Sequence, residues 1–424
     1  MHKDIIQNLA IGLGPSNLSL AALATSHAEL EIEFIERKKR FDWYEGLLLP
    51  SSTMQSSFVR DLVTLVDPTS PFSFLSYLHE NKRMHLFLAA GFGEVPRFEF
   101  NEYFKWAAGK LSNVSFGESV NEIHYAEGAF EVHTGERVVR SRNLVLGIGN
   151  QPYYPVRMLP HVGDRVFHGL SYSKKDKKMF AGKRVVVVGG GQTGAEVFLD
   201  LFQDASEVPA SLSWISRRPS FSPMEESPFL TEVFSPEFSE FFYPLPQDAK
   251  RRLLDHHKLA SDGISHSTLA TIYQSLYRAR YFARRELSPS LMVDCEVVDV
   301  VEDAGSYTLA VLNRMSETSV RIPADIIILC TGLEFIAPAF LYPLKDLLTF
   351  DESGLVTDKD FSARLKQDIG NKIYVQNGST LSWGVSDRNL VMSAWRSAKI
   401  INSLVESEAY DLGVDATFQN WAAE

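Results

Sequence analysis

Cysteine is almost missing from this chain: 424 residues contain two, Cys295 and Cys330. They are too far apart for a CxxC pair, and neither they nor the eleven histidines show metal-ligand spacing. Dithiol redox chemistry and a structural zinc are therefore excluded, and no residue is assigned to a metal. Cys330 closes the apolar run Ile326-Ile327-Ile328-Leu329 and reads as a small buried hydrophobe. Long hydrophobic runs are also absent, since nothing approaches the roughly 20 apolar residues that a membrane helix needs. The N-terminus enters a strand-like run with no signal-peptide pattern, so a cytoplasmic protein without a membrane segment is expected. Positive charge is in deficit, with 42 Lys and Arg against 53 Asp and Glu and a net charge of -11. With no basic stripe to offset it, that balance argues against nucleic acid and is compatible with a cationic small molecule.

Glycine, by contrast, is concentrated where it carries information. Gly12-Leu13-Gly14-Pro15-Ser16-Asn17 and Gly189-Gly190-Gly191-Gln192-Thr193-Gly194 each follow a short apolar run, Asn8 to Ile11 and Arg184 to Val188. Each then opens an Ala/Leu-rich stretch with helical spacing. Strand, tight turn and helix is the context in which a glycine pattern cradles a pyrophosphate, so two cradles imply two dinucleotides. The charge at the end of the next strand separates them. After the first cradle, Glu31 to Glu36 ends in an acid about 20 residues on, where a carboxylate accepts hydrogen bonds from a ribose with free hydroxyls, which suits FAD. After the second, Leu212 to Arg218 ends in Arg217 and Arg218. Two guanidinium groups there would fork onto a 2′-phosphate, which suits NADPH; the alternative for this pair is a solvated loop.

The predicted fold is α/β, with two Rossmann-like dinucleotide-binding domains and a smaller, mostly helical substrate region. The FAD domain is expected to be discontinuous, 1–165 and 325–424, because the strands ending at Gly147-Ile148-Gly149-Asn150 and at Thr331-Gly332 read as crossings between domains. The NADPH domain is expected at 166–222 and 286–324. Helical spacing of Leu253, Leu254, Leu269, Ile272, Leu276 and Tyr277 places the helical region at 223–285, ending at Arg285.

The sequence resembles the N-hydroxylating flavin monooxygenases, the lysine/ornithine N-monooxygenase group of siderophore pathways. The resemblance rests on Gly12-x-Gly14-Pro15-x-Asn17-Leu18, Met54-Gln55, Asp61-Leu62-Val63, Asp67 to Phe74, Gly189 to Glu196, Thr331-Gly332 and Ser393 to Ala398, and so spans nearly the whole chain. Ala260 to Ser265 and Trp395 to Ala398 are similar to the lysine branch. The resemblance implies that NADPH reduces FAD, that O₂ adds to the flavin as a C4a-hydroperoxide, and that a neutral primary amine attacks its distal oxygen. No side chain is then needed as acid or base. It further implies that Met54 and Gln55 lie beside the flavin ring, that Trp43 and Tyr44 flank it, that Thr331 and Gly332 belong to the cofactor site, and that Gln192 and Thr193 sit at the NADPH diphosphate. Family members usually carry His at the position of Tyr44. A tetramer is the assembly the resemblance implies.

Substrate identity rests on departures from the family pattern. The block that usually reads Phe-x-Lys-Asp-Leu is Phe58-Val59-Arg60-Asp61-Leu62, and the ornithine-branch Asn in Ser-Pro-Phe-x-Asn-Glu is Thr231. Arg60 remains able to clamp a carboxylate, as lysine would present. A diamine such as cadaverine or putrescine presents a second ammonium, for which Glu232 or Asp262 would be a partner. On these residues a diamine is expected ahead of lysine, with ornithine third. A sulfide- or ketone-oxidising flavin monooxygenase, or a purely NADPH-oxidising flavoprotein, is the competing class; the former would lack the Met54-Gln55 and Asp67 to Phe74 blocks.

Overall fold

The computed structural model describes residues 5–282, 287–303, 305–413 and 417–421. Strand Ile6–Ile11 lies centrally in a seven-stranded sheet, parallel to Ile32–Glu36 on one side and to Val138–Leu146 on the other. Leu9 and Ala10 are completely buried, as the middle of a parallel sheet covered on both faces requires. Ile373–Val375, from far along the chain, adds in parallel to Val138–Leu146. Helix Pro15–Ala24 starts with Pro in its first turn and packs in one core with helix Ser393–Leu404, so the C-terminal stretch closes this unit.

A second, five-stranded sheet is entirely parallel. Its order is Ser290–Met292, Ser211–Ile215, Arg184–Val188, Ile326–Leu329 and Val166–His168. Helix Gln192–Gln203 covers one face, with Phe198 stacked on Trp214 at 5.0 Å. This order corrects one expected boundary. Ile326–Leu329 falls in the second sheet and not in the domain assigned from 325 onward. Four fully buried aliphatic residues need neighbours on both edges, and Asp325 ties the strand to Arg184 from its first residue: its carboxylate accepts from the Arg184 amide at 2.8 Å and from the guanidinium at 2.6 Å. The chain crosses back just beyond, where Leu333–Glu334 pairs antiparallel with Gln151–Pro152. The two connections between the units thus run side by side.

The helical region is also divided. Helix His266–Tyr281 packs Ile272 and Ala279 into the core of the second unit, whereas the short helices Pro236–Phe242 and Lys258–Asp262 build a separate cluster with Val385 of the first. The predicted end at Arg285 lies outside the described residues. Two features escaped the sequence reading. One is the group of helices Phe74–Glu80, Met84–Ala90 and Arg97–Gly109, gathered on Phe74, Phe100, Tyr103 and Phe104. The other is an antiparallel sheet of Cys295–Asp303, Ser306–Asn313 and Ser319–Ala324. Among the described residues no helix is long and apolar enough to cross a membrane, and no group of three metal-ligating side chains converges.

Candidate functional site

The first glycine turn sits at the carboxyl end of Ile6–Ile11. Gly12 has φ +86°, and a Cβ there would lie 2.6 Å from the Gly147 carbonyl oxygen, so only glycine fits. Asn17 holds the turn from inside, donating from Nδ2 to the Gly12 carbonyl at 2.7 Å. Gly14 caps helix Pro15–Ala24 with no side chain on the cap, and a Cβ at Gly14 would meet no protein atom nearer than 3.9 Å. The first-turn N–H groups are therefore available to an anion. Glu36 is nearly buried and braces the same turn: its Oε2 accepts from the Leu13 amide at 2.7 Å and its Oε1 from the Lys38 amide at 2.8 Å. Each oxygen keeps a lone pair for a ribose hydroxyl.

Beyond this turn the loop that carries Met54 and Gln55 approaches. Met54 is buried and its amide donates to Val95 at 2.8 Å. Gln55 Nε2 is buried with no hydrogen-bond partner, and so is Asn150 Oδ1 at the end of the neighbouring strand crossing. An orphaned buried donor and an orphaned buried acceptor are groups that a ring with polar edges would satisfy. The residues thus fit FAD, and Asn150, which sequence reasoning did not nominate, is a further candidate. Trp43 is held by Asn101, whose Oδ1 accepts its amide at 3.0 Å, and its indole packs 4.8 Å from Tyr44 and 5.3 Å from Phe104. Tyr44 adopts φ +49°, an uncommon conformation for a bulky residue, and stays partly exposed. Sequence reasoning also passed over Arg396 as a site residue. Fully buried, it donates to Gln376 Oε1 at 2.8 Å, Asn377 Oδ1 at 2.6 Å and the Asp387 carbonyl at 2.6 Å, fastening the loops around helix Pro15–Ala24.

In the second turn Gly189 has φ +136° and a Cβ there would come within 2.0 Å of the Cys330 carbonyl, while a Cβ on Gly194 would meet the Gly189 carbonyl at 2.1 Å. Gly191 caps helix Gln192–Gln203 without a side-chain bond, and Thr193 follows in its first turn. The turn, the open cap and two nearby arginines fit a phosphorylated dinucleotide. The arginines differ in what they touch. Arg218 donates to the Gly190 carbonyl at 3.2 Å and the Asp262 carbonyl at 2.8 Å, whereas Arg217 is exposed and has no partner among the described residues. Gln192 is held on three sides, its Nε2 donating to Glu196 at 3.0 Å and Thr268 at 3.1 Å and its Oε1 accepting from Ser265 at 2.8 Å.

Glu196 joins the two units. Its carboxylate takes both terminal nitrogens of Arg97 at 3.0 Å each and the Ser52 hydroxyl at 3.0 Å, and both charged groups are buried. At the crossing, the Thr331 hydroxyl donates to the Tyr153 carbonyl, Gly332 has φ +90°, and His168 Nε2 donates to the Gly332 carbonyl at 3.1 Å. Burial pushes His168 down to about 4, so its ring is neutral near pH 7.

Three residues considered for the substrate site make local contacts in the structure. Glu232 accepts from the amides of Phe418 and Gln419 at 2.9 and 3.1 Å and from the Gln419 side chain at 3.0 Å, so it straps the C-terminal segment. Thr231 donates to Pro228 of its own helix turn at 2.8 Å. Asp262 is exposed; its main-chain carbonyl lies 3.5 Å from the position of a Cβ on Gly191, while its carboxylate accepts from the Ser261 hydroxyl at 3.1 Å. Arg60 is different. It is half-buried five residues past Gln55, it has no ion-pair or hydrogen-bond partner for its guanidinium among the described residues, and burial holds it below the ordinary arginine range.

The profile of the family described as L-lysine 6-monooxygenase/L-ornithine 5-monooxygenase matches residues 4–335. The chain is 32% identical over 422 residues to L-lysine N6-monooxygenase of Escherichia coli, covering 99% of each. It is 31% identical over 431 residues to putrescine N-hydroxylase of Shewanella oneidensis, covering 100% of this chain and 85% of that protein. Its structure is similar to the FAD-bound cadaverine monooxygenase of the desferrioxamine pathway of Erwinia amylovora, with a TM-score of 0.93 at 28% identity, covering 100% of this chain and 99% of the other.

Proposed function

The chain belongs to the L-lysine 6-monooxygenase/L-ornithine 5-monooxygenase family, and from that premise we propose that its amine carries a carboxylate, as L-lysine does. The enzyme is an FAD- and NADPH-dependent monooxygenase that N-hydroxylates a primary amine for hydroxamate siderophore biosynthesis. The observation that carries the finer reading is Arg60: a half-desolvated guanidinium without a counter-ion favours a ligand that brings one. The same charge disfavours the second ammonium of a diamine, and Glu232, one of the two acids expected to receive that ammonium, spends its carboxylate on the C-terminal segment.

FAD in the first cradle supplies reduction by NADPH and oxygen activation when bound. What the chain itself contributes is placement. Gly12, Gly14, Pro15, Asn17 and Glu36 would hold the flavin nucleotide, and Trp43, Tyr44, Met54, Gln55 and Asn150 would frame its ring. Gly189, Gly191, Gln192, Thr193, Gly194, Arg217 and Arg218 would hold NADPH, with Arg217 the freer partner for the 2′-phosphate. Thr331 and Gly332 set the junction between the two sites. Arg60 would orient the amine by its carboxylate end, leaving the terminal nitrogen pointed at the ring. A discontinuous FAD-binding unit enclosing an NADPH-binding unit, a tetrameric assembly and a cytoplasmic location complete the proposal.

A diamine remains the second reading, favoured by Thr231, which stands where the ornithine branch has Asn and is closed on its own helix. Hydroxylamine formation with L-lysine, L-ornithine, cadaverine and putrescine decides between them. Lysine turning over with the highest kcat/KM supports the first reading, and a diamine exceeding lysine overturns it. Product must be measured, because NADPH is also consumed when reduced oxygen is released as peroxide.

A further inference from the structure

Lys250 lies on helix Gln247–His256 and is only 9% exposed, yet its ammonium makes no hydrogen bond and has no carboxylate within ion-pair distance among the described residues. What approaches it are rings, Phe242 at 5.6 Å and Tyr243 at 5.4 Å from their centroids. A buried ammonium without a hydrogen-bond partner is expensive, and burial lowers its proton affinity against the opposing pull of the Asp351 carboxylate. Lys250 lines a cavity of about 320 Å³ between this helix and the C-terminal part of the first unit. None of Gln55, Arg60, Trp43 or the glycine turns lines it, so the amine-oxidation site does not account for it.

The donor set of the cavity is one-sided. Thr357 Oγ1 accepts from Trp383 Nε1 at 3.0 Å and Ser382 Oγ accepts from the Thr357 amide at 3.3 Å, while neither hydroxyl donates to any described residue. Both O–H groups, together with the Lys250 ammonium, lack acceptors. Arg364 adds a second cation to the wall and is itself paired to Asp358 at 3.0 Å. The one acid on the lining, Asp351, has its Oδ1 turned to the Ser353 amide and hydroxyl at 2.8 Å each, and its charge acts on Lys250 from beyond ion-pair distance. Tyr243, Val356 and Leu381 supply apolar walls.

We propose that this cavity is a second ligand site, separate from the amine and cofactor sites, that binds a small organic carboxylate. The carboxylate group pairs with Lys250 and accepts from the Thr357 and Ser382 hydroxyls, and the organic part lies on Tyr243, Val356 and Leu381. The inference stands apart from the identity of the amine.

Thermal melts of the FAD-loaded protein test it, with acetate, succinate, inorganic phosphate and the neutral succinamide as probes, on the wild type, Lys250→Met and Ser382→Ala. Succinate or acetate should raise the melting temperature in a saturable way, succinamide should not, Ser382→Ala should weaken binding roughly tenfold, and Lys250→Met should abolish the shift. Without ligand, Lys250→Met should melt no lower than the wild type, because a buried charge has been removed with its stem volume kept. Absence of a carboxylate shift in the wild type, an equal shift in Lys250→Met, or a phosphate shift as large as that of the carboxylates overturns the proposal. Should Lys250→Met melt well below the wild type, Lys250 is a packing residue and the proposal also falls.

Discussion

An arginine half out of water with no acid beside it raises the energy of the ligand-free protein, and a carboxylate-bearing ligand that paired with it would recover that energy on binding. Arg60→Met keeps most of the stem and removes the charge. With lysine its KM should rise about 10- to 100-fold, the loss of a charge-assisted contact worth roughly 1.5–3 kcal/mol. With cadaverine, hydroxylamine formation should hold steady or improve. Equal losses on both amines would make Arg60 a structural residue. Two glycines of the first cradle separate strain from occupancy in the same way. In Gly12→Ala the new Cβ meets a backbone carbonyl at 2.6 Å with φ +86°, so both the melting temperature of the FAD-free protein and its flavin affinity should drop. In Gly14→Ala the Cβ meets the protein at no less than 3.9 Å, so stability should hold while FAD affinity falls at least tenfold in a fluorescence titration. Both glycines were legible in the sequence because a turn that needs positive φ or close approach declares itself locally. Asn150 was not, since an orphaned acceptor appears only once its neighbours are in place.

Elements follow the same divide. Strands flanking the glycine turns were readable from continuous apolar runs, but the sheet that Ile326–Leu329 enters is a matter of non-local pairing, settled by Asp325 against Arg184 and by the register with Val185 to Val188. The long helix His266–Tyr281 was readable from its spacing, though its packing on Gln192–Gln203 was not. His168 marks the end of a strand at the junction and gives a pH test. Buried and neutral, it accepts from the Leu170 amide at 3.2 Å on Nδ1 and donates to Gly332 from Nε2. Its folded value near 4 lies below the ordinary 6.5, so between those values the unfolded chain binds the proton and the folded chain does not. Stability should therefore be full above about pH 6.5 and decline as pH falls toward 4. In His168→Gln, which can still donate to Gly332, that part of the decline should vanish from melting curves taken across the same range. An unchanged slope would show that His168 titrates normally.

At the scale of the molecule, two nucleotide units must keep a fixed relation for reductant and amine to meet the same ring. Two adjacent connections, Gln151–Pro152 and Leu333–Glu334, join the units, and a buried ion pair bridges them: Arg97 of the first unit against Glu196 of the second, 99 residues apart in sequence. No local pattern announces such a pair, although Glu196 belongs to the block that begins at Gly189. Because Glu196 also accepts from Gln192 at 3.0 Å, the clamp ties the first residue of helix Gln192–Gln203 to the first unit. Glu196→Gln leaves Arg97 buried without a counter-ion, which should destabilise the protein by about 3–5 kcal/mol. Double replacement, Arg97→Met with Glu196→Gln, removes both charges and should recover most of that stability, since a neutral pair of similar volume avoids the desolvation of two ions. Function should not recover with it. If the clamp positions the second unit, the double variant will oxidise NADPH yet form less hydroxylamine per NADPH than the wild type, with the balance released as peroxide. A double variant that is both stable and fully coupled would reduce the clamp to a structural ion pair.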